Sequence, residues 1–242
     1  MYYNGGMNMI FVCCIPFFII AAFHLTSCLL SKTKQADISK KILMPLLILA
    51  VAAAYCLSLA GKRVTDLRLF QIVLLCIALA AGNAGDIFLL GNVTPKNMSK
   101  GLGAFLLGHI VYIAVLFLTF SLPPLPVLPA IIVFAVYSAA VYVSWRMNGS
   151  PKGAVGAAVI VYASVLGLFS LLTLFHIMGS VHAGSGVPAP LLKIYIGTLL
   201  FLLSDSVLSR TIFFKPFYQS RFVVMLTYLS AQFLIALGFL SI

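Results

Sequence analysis

The chain has four acidic residues, all of them aspartates, and two of these occupy unusual places. Asp37 and Asp66 lie in polar segments, whereas Asp86 and Asp205 lie inside long apolar runs. An ionisable group deep in a membrane helix costs at least about 2.5–3.5 kcal/mol unless it is paired or hydrated. Asp86 and Asp205 are therefore the first candidates for a functional role.

The residues near Asp86 add further polar groups. Asn83 lies three positions before Asp86 and shares its face of a helix. In the next apolar run, Phe105, His109 and Tyr112 follow the spacing i, i+4, i+7 and form one stripe. At a rise of about 1.5 Å per residue, Asp86 lies roughly 7 Å and His109 roughly 12 Å from the same end of a helical hairpin. The two side chains can then meet at a similar depth.

Asp205 lies in a comparable position in a later run. It precedes Arg210 by five residues, so it lies roughly 7 Å from the end of its helix, and Ser204 and Ser206 flank it. Lys40 stands at the start of the second run, where a long side chain can reach the level of lipid phosphates.

One side of the membrane thus receives polar groups from four helices. Lys40, Asp86, His109 and Asp205 each belong to a different apolar run and all lie toward the same end. We interpret this arrangement as one buried polar pocket.

The elements that must position these groups are membrane spans. The chain is 63% hydrophobic and 8% charged, with a mean hydropathy of +1.17, and its apolar runs are long enough to cross a bilayer, which takes roughly 20 helical residues. This pattern predicts an all-α polytopic membrane protein, with residues 1–242 forming a single bundle of eight transmembrane helices. The predicted spans are 8–30, 42–60, 69–91, 101–121, 125–145, 154–179, 190–210 and 220–241.

The net charge of +11 reflects topology rather than nucleic-acid binding, because the basic residues are spread over short loops. The loops on the side of Asp86 carry eleven lysines and arginines and the opposite loops carry four. By the positive-inside rule, both termini face outward, and the pocket opens toward the cytoplasm from the inner membrane of the cell.

Two carboxyl groups and an imidazole in an apolar bundle support acid–base chemistry. Neighbouring carboxyl groups do not readily ionise together, so one can donate a proton while the other stays charged and steadies a cation or directs water. Such a pair suits bonds that break through an oxocarbenium ion, as in glycosides and in vinyl ethers. A serine nucleophile at Ser204 or Ser206 has no base placed beside it by the sequence.

Other interpretations stay open. The aspartates can simply hold the bundle together, or they can form a proton relay in a transporter, although no inverted repeat is visible. Zinc sites use three protein ligands, usually His or Cys, and only one histidine lies on this side. We therefore expect no metal and no cofactor. The five cysteines, all in apolar runs, indicate no disulfide framework.

Four segments together resemble a known family. AGDIFLL, GLGAFLLGHIVY and LLFLLSDSVLSR, with KKILMPLL at the start of the second run, are similar in order and spacing to the YhhN family of eight-span membrane proteins, which includes the lysoplasmalogenases. The resemblance covers most of the chain. It implies hydrolysis of the vinyl ether of lysoplasmalogens (lysoplasmenyl-ethanolamine or -choline) to a fatty aldehyde and a glycerophospho-base.

The resemblance also implies roles for individual residues. Asp86 and Asp205 would be the catalytic carboxyls, with His109 assisting them. Lys40 would contact the headgroup, and Tyr112 would be a pocket partner with His109. Together with Asn83 and Ser204, which lie near the aspartates in sequence, Lys40 and Tyr112 are the predicted contacts of a lysophospholipid substrate. The expected partners are this substrate and the lipid bilayer, with no nucleic acid, and the oligomeric state is left open. A proton-coupled transporter or a non-catalytic lipid-binding protein using the same pocket is the alternative.

Overall fold

The computed structural model describes residues 10–58, 65–91, 94–121, 124–147 and 153–241, and all regular secondary structure in these ranges is helical. This confirms the predicted all-α class. A short helical stretch at residues 10–13 comes first. The longer helices are α1 (Ile15–Leu29), α2 (Thr33–Ser58), α3 (Asp66–Phe88), α4 (Pro95–Thr119), α5 (Val127–Met147), α6 (Gly153–His182), α7 (Ala189–Phe213) and α8 (Ser220–Leu240).

Seven of the described helices, α2 to α8, are long and apolar enough to cross a membrane. The exception is α1, an apolar helix of 15 residues, which is shorter than a crossing requires. Pro16 lies in its first turn and has no backbone N–H to donate. The structure thus supports seven of the eight predicted spans by length and composition, and the first residues of the predicted span 8–30 lie outside the described ranges.

Two helices begin earlier than the sequence predicted. The segment 31–41 was expected to be a loop, yet α2 begins at Thr33 and α4 begins at Pro95 instead of residue 101. In α2, buried residues continue the helical spacing into the polar segment, at Ala36, Ser39 and Leu43. At α4, Thr94 caps the helix by accepting the backbone N–H of Asn97 at 3.2 Å.

The bundle is organised around α8. In the most apolar 18-residue stretch of α8, 61% of the residues are buried, and in the corresponding stretch of α5 none are buried. Helix α8 packs against α1, α2, α3 and α7, while α5 packs mainly against α6. The chain therefore builds its core around α8, with α5 at the periphery.

Glycines set the close approach of α7 and α8. A Cβ atom on Gly197 would lie 3.0 Å from the Ala231 carbonyl oxygen, and one on Gly238 would lie 2.8 Å from the Pro190 carbonyl oxygen. Small residues let membrane helices approach with their backbones in contact. This approach fixes α7, which carries Asp205, against α8.

Candidate active site

A cavity of about 200 Å³ lies among α2, α3, α4, α7 and α8. Most of its wall is apolar, and the larger polar groups on the wall are Lys40, Asp86, Asp205 and Tyr228. The two aspartates of the apolar runs therefore face one shared space. Lys40 joins them there, as the sequence predicted.

Asp86 is held by two groups from other helices. Lys40 of α2 places its Nζ atom 3.1 Å from Oδ1 of Asp86, and Tyr228 of α8 donates its hydroxyl to Oδ2 at 2.8 Å. Asp86 is only 3% exposed. A buried carboxylate needs such a cation and donor to offset the loss of hydration.

Asp205 has a different set of neighbours. Tyr162 of α6 donates its hydroxyl to Oδ2 of Asp205. Within the described ranges, the ion pairs join Lys40 to Asp86 and Arg221 to Asp37, and none involves Asp205. One aspartate thus has a cationic partner, and the other has a neutral phenol.

Lys40 reaches the cavity because of the early start of α2. The residue lies well inside the helix, about 10 Å from its first residue at 1.5 Å per residue. Lys40 is half-buried, whereas Lys41 beside it is exposed. Pro45 lies in the helix interior, where it leaves the Lys41 carbonyl without its helical donor.

Glycines on α3 make room for the groups around Asp86. A Cβ atom on Gly82 would lie 3.4 Å from the Tyr228 hydroxyl, and one on Gly85 would lie 2.6 Å from the ring of Phe105. The missing side chain of Gly85 allows the Phe105 ring to lie against α3, whereas the Tyr228 hydroxyl would be at an ordinary contact distance from a Cβ atom on Gly82.

A chain of hydrogen bonds leads away from Asp86 into the bundle. Gln232 donates from Nε2 to the Tyr228 hydroxyl at 3.4 Å and accepts the Tyr112 hydroxyl on Oε1 at 2.6 Å. All three residues are buried. Tyr112, predicted as a substrate contact, therefore supports Tyr228 and does not line the cavity.

His109 does not meet Asp86, contrary to the expectation from depth alone. Its Nδ1 atom bonds to the Phe105 carbonyl oxygen at 2.7 Å, and its buried Nε2 atom has no hydrogen-bond partner. The ring lies 4.6 Å from that of Phe201 and 5.6 Å from that of Tyr162, measured between centroids. The Phe105 ring occupies the space against α3, so His109 contacts Tyr162 instead.

The other predicted contacts lie near the cavity to different degrees. Ser204 lines it and donates to the Val224 carbonyl oxygen at 3.0 Å. Asn83 does not line it, although its buried Oδ1 atom has no partner. Ser206 donates to the Leu202 carbonyl oxygen of its own helix, as an ordinary helical serine does.

Sequence reasoning missed Tyr162 and undervalued Tyr228. Tyr228 and Gln232 each form a hydrogen bond to another helix, and Tyr228 also lies on the cavity wall. Their i, i+4 spacing in an apolar run was a usable signal. Tyr162 gave no signal, because a single tyrosine among apolar residues has many ordinary roles.

No group of three or more His, Cys, Asp or Glu side chains that could hold a metal occurs in the parts of the chain that the structure describes. Asp86 and Asp205 are accompanied by tyrosines and a lysine, which are not a typical zinc set. The polar groups of the cavity suit proton transfer and the binding of an anion.

Comparison with known proteins identifies the family. The sequence profile of the YhhN family matches residues 35–239, a stretch that includes Lys40 and both cavity aspartates. No curated protein and no solved structure gives a match. The match covers well over half of the chain, and we conclude that the chain belongs to the YhhN family.

Proposed function

We propose that this protein hydrolyses the vinyl ether bond of lysoplasmalogens, releasing a fatty aldehyde and a glycerophospho-base. The observation that carries the proposal is the pair of unlike carboxyl groups, Asp86 and Asp205, on the wall of one cavity inside an apolar bundle. Membership of the YhhN family supports this choice of substrate.

The reaction needs one acid and one water. Protonation of the alkene carbon remote from oxygen gives an oxocarbenium ion, and water adds to the carbon that bears the ether oxygen. The resulting hemiacetal loses the glycerol oxygen as a hydroxyl and leaves the aldehyde. One water is consumed, and the acid recovers its proton.

Asp205 suits the role of acid. Its partner is the neutral hydroxyl of Tyr162 on Oδ2, so a proton can be carried on Oδ1. A carboxyl group without a cationic partner in an apolar site tends to stay protonated, and a protonated carboxyl group can act as a general acid.

Asp86 suits the complementary role. Lys40, with Nζ 3.1 Å from Oδ1, and the Tyr228 hydroxyl both favour its charged form. A carboxylate facing the same cavity can steady the oxocarbenium ion and accept a proton from the attacking water. The different neighbours of the two aspartates thus separate acid from base.

Lys40 and His109 have supporting roles in the proposed mechanism. The Lys40 ammonium has three donors, so it can bind the phosphate of the substrate while it remains near Asp86. His109 would act through its contact with the Tyr162 ring, by positioning the donor to Asp205. The cavity would open toward the cytoplasmic side of the cell membrane, with both termini outside.

The test is an assay with purified protein in detergent. Incubation with a lysoplasmalogen should release aldehyde and glycerophospho-base in equal amounts, detected by mass spectrometry. In D₂O the aldehyde should carry one deuterium on its second carbon, because that carbon receives the catalytic proton. The matched saturated alkyl ether should not be cleaved, since it has no alkene to protonate.

The same assay separates the alternatives. Detergent solution has no compartments, so a transporter that performs no chemistry gives no aldehyde. A non-catalytic lipid-binding protein would bind the lysolipid and leave it intact. Either outcome would reject the hydrolase proposal.

A further inference from the structure

A second and larger cavity adjoins the site. It has a volume of about 410 Å³, and α4, α5, α6 and α7 supply most of its wall. The lining is mainly apolar, with residues such as Leu102, Val141, Leu166 and Leu199. Ligand pockets commonly have volumes of roughly 300–1,000 Å³ and apolar walls with a few polar groups.

The two cavities meet at Asp205. This residue lines both of them, together with Leu89, Leu208 and Ile212. The carboxyl group proposed as the acid therefore lies where the smaller cavity, which holds Lys40 and Asp86, adjoins the larger apolar cavity. A molecule with a polar head and an apolar tail would place the bond between its two parts at this boundary.

The part of the apolar cavity beyond Asp205 is about as long as one lipid chain. The cavity wall on α7 runs from Phe213 to Tyr195, and the part from Asp205 to Tyr195 covers ten residues, which is about 15 Å along a helix. A lipid chain spans half of a hydrocarbon core about 30 Å thick. The distance from the junction to the deep end is therefore about the length of a chain in one leaflet.

A polar cluster closes the deep end. The Tyr137 hydroxyl of α5 bonds to Ser170 Oγ at 2.8 Å and to the Tyr195 hydroxyl at 3.4 Å. Thr198 donates to the same Ser170 oxygen at 2.9 Å. These bonds link α5, α6 and α7. The four hydrogen-bonded residues, which we call the Tyr137 cluster, lie at the deep end of the apolar cavity: Tyr137, Ser170, Tyr195 and Thr198.

The volume is sufficient for a hydrocarbon chain. A methylene group is close in size to a water molecule, which occupies roughly 30 Å³ in the liquid, so a cavity of about 410 Å³ has room for at least about 14 such groups. Peripheral α5 forms one wall, so the chain can enter from the bilayer.

We propose that this cavity, between Asp205 and the Tyr137 cluster, binds the hydrocarbon chain of a single-chain amphiphile and limits its length. The inference rests on the proposed function, because it assigns the occupant to the same substrate. It adds a specificity site on α5 and α6 that is distinct from the catalytic carboxyls.

The test narrows the cavity from α5. Ala140 lines it, one helical turn from Tyr137, whereas Ala139 on the same helix does not line it. Ala140→Phe places a ring in the chain's path, and Ala139→Phe is the matched control. Ala163→Phe narrows the cavity from α6 and serves as a second variant if the first does not fold.

Binding is measured with uncleavable saturated alkyl lysophosphoethanolamines of 8 and 16 carbons. The sole tryptophan of the sequence, Trp145, lines the cavity and reports occupancy by its fluorescence. Relative to the unaltered protein, Ala140→Phe should weaken binding of the longer lipid about tenfold and that of the shorter lipid less than about twofold, because only the longer chain loses buried methylenes. Ala139→Phe should change neither.

The binding measurements and the hydrolysis assay test the chain site and the hydrolase proposal separately. If Ala140→Phe weakens binding of the 16-carbon lipid alone and the unaltered protein releases no aldehyde, the results support the chain site and reject the proposed hydrolysis. Aldehyde release with equal effects on both chain lengths, or with no effect of Ala140→Phe and Ala163→Phe, would overturn the chain site and leave the hydrolase proposal standing.

Discussion

The two aspartates differ most in what surrounds them. Asp86 combines a lysine with a tyrosine, while Asp205 has the hydroxyl of Tyr162. In the proposed mechanism, these chemically equal side chains take unequal roles because their neighbours differ, as is common in acid–base sites. The tyrosines are therefore part of the proposed machinery.

We expect Tyr162→Phe and Tyr228→Phe each to reduce aldehyde release about 10- to 100-fold, because each removes one hydrogen bond that orients a reacting carboxyl group. Tyr142→Phe is the matched control, since Tyr142 is an exposed tyrosine on α5 outside both cavities. Steady-state rates check the prediction. Equal rates for all three variants would remove the tyrosines from the mechanism.

Lys40 is expected to be needed for its charge. Lys40→Met keeps the length of the side chain but leaves Asp86 without the cation that stabilises it, and we expect a loss of about 10²-fold or more in kcat/KM. Lys40→Arg should retain part of the activity. The exposed neighbour offers a control, because Lys41→Met should behave like the unaltered protein.

At the level of the helices, close packing positions the site. Gly238 of α8 lies against the backbone of α7, where a Cβ atom would come within 2.8 Å of the Pro190 carbonyl oxygen. The α7–α8 pair holds Asp205 and Tyr228 in the cavity. Its geometry should therefore be sensitive to added volume.

We expect Gly238→Ala to destabilise the protein by about 1–3 kcal/mol through overpacking. Gly103→Ala is the matched control, because Gly103 is an exposed helical glycine where an added Cβ atom would meet no other atom within 4 Å, and alanine there should stabilise α4 by up to about 1 kcal/mol. Thermal unfolding in detergent measures both. A lower Tm for Gly103→Ala than for Gly238→Ala would contradict this account of the packing.

The sequence predicted some elements of the site better than others. Hydropathy predicted the helical class and the bounds of α3 and α7 within a few residues, because apolar runs and short loops leave little freedom. It missed the start of α2, since charged residues were taken to mark a loop although the buried stripe continued through them. A helix can carry lysines beyond the hydrocarbon core.

The contacts across the bundle were harder to predict. Scarcity of acidic residues pointed to Asp86 and Asp205, and both line one cavity. The expected meeting of His109 with Asp86 was wrong because depth does not give the direction of a side chain, and the Phe105 ring fills the space against α3. Partners such as Tyr162 depend on which helices are neighbours, and a single sequence does not supply this.

The whole molecule has an uneven distribution of charge that predicts its orientation. In a cysteine-free background, Ser185→Cys lies between α6 and α7, and Lys215→Cys lies between α7 and α8, at opposite ends of α7. We expect an impermeant maleimide to label position 185 in intact cells and position 215 only after lysis, because the positive-inside rule predicts that the basic loops face the cytoplasm. The reverse pattern would place the site on the outer side.

The central claim is that Asp86 and Asp205 together cleave a vinyl ether. The most direct measurement is the rate of aldehyde release from a lysoplasmalogen by purified Asp86→Asn and Asp205→Asn, with Asp37→Asn as the matched control because Asp37 pairs with Arg221 and does not line the cavity. We predict losses of about 10²- to 10⁴-fold for the two cavity variants, with the Asp37 variant close to the unaltered protein. Full activity in either cavity variant would contradict the account.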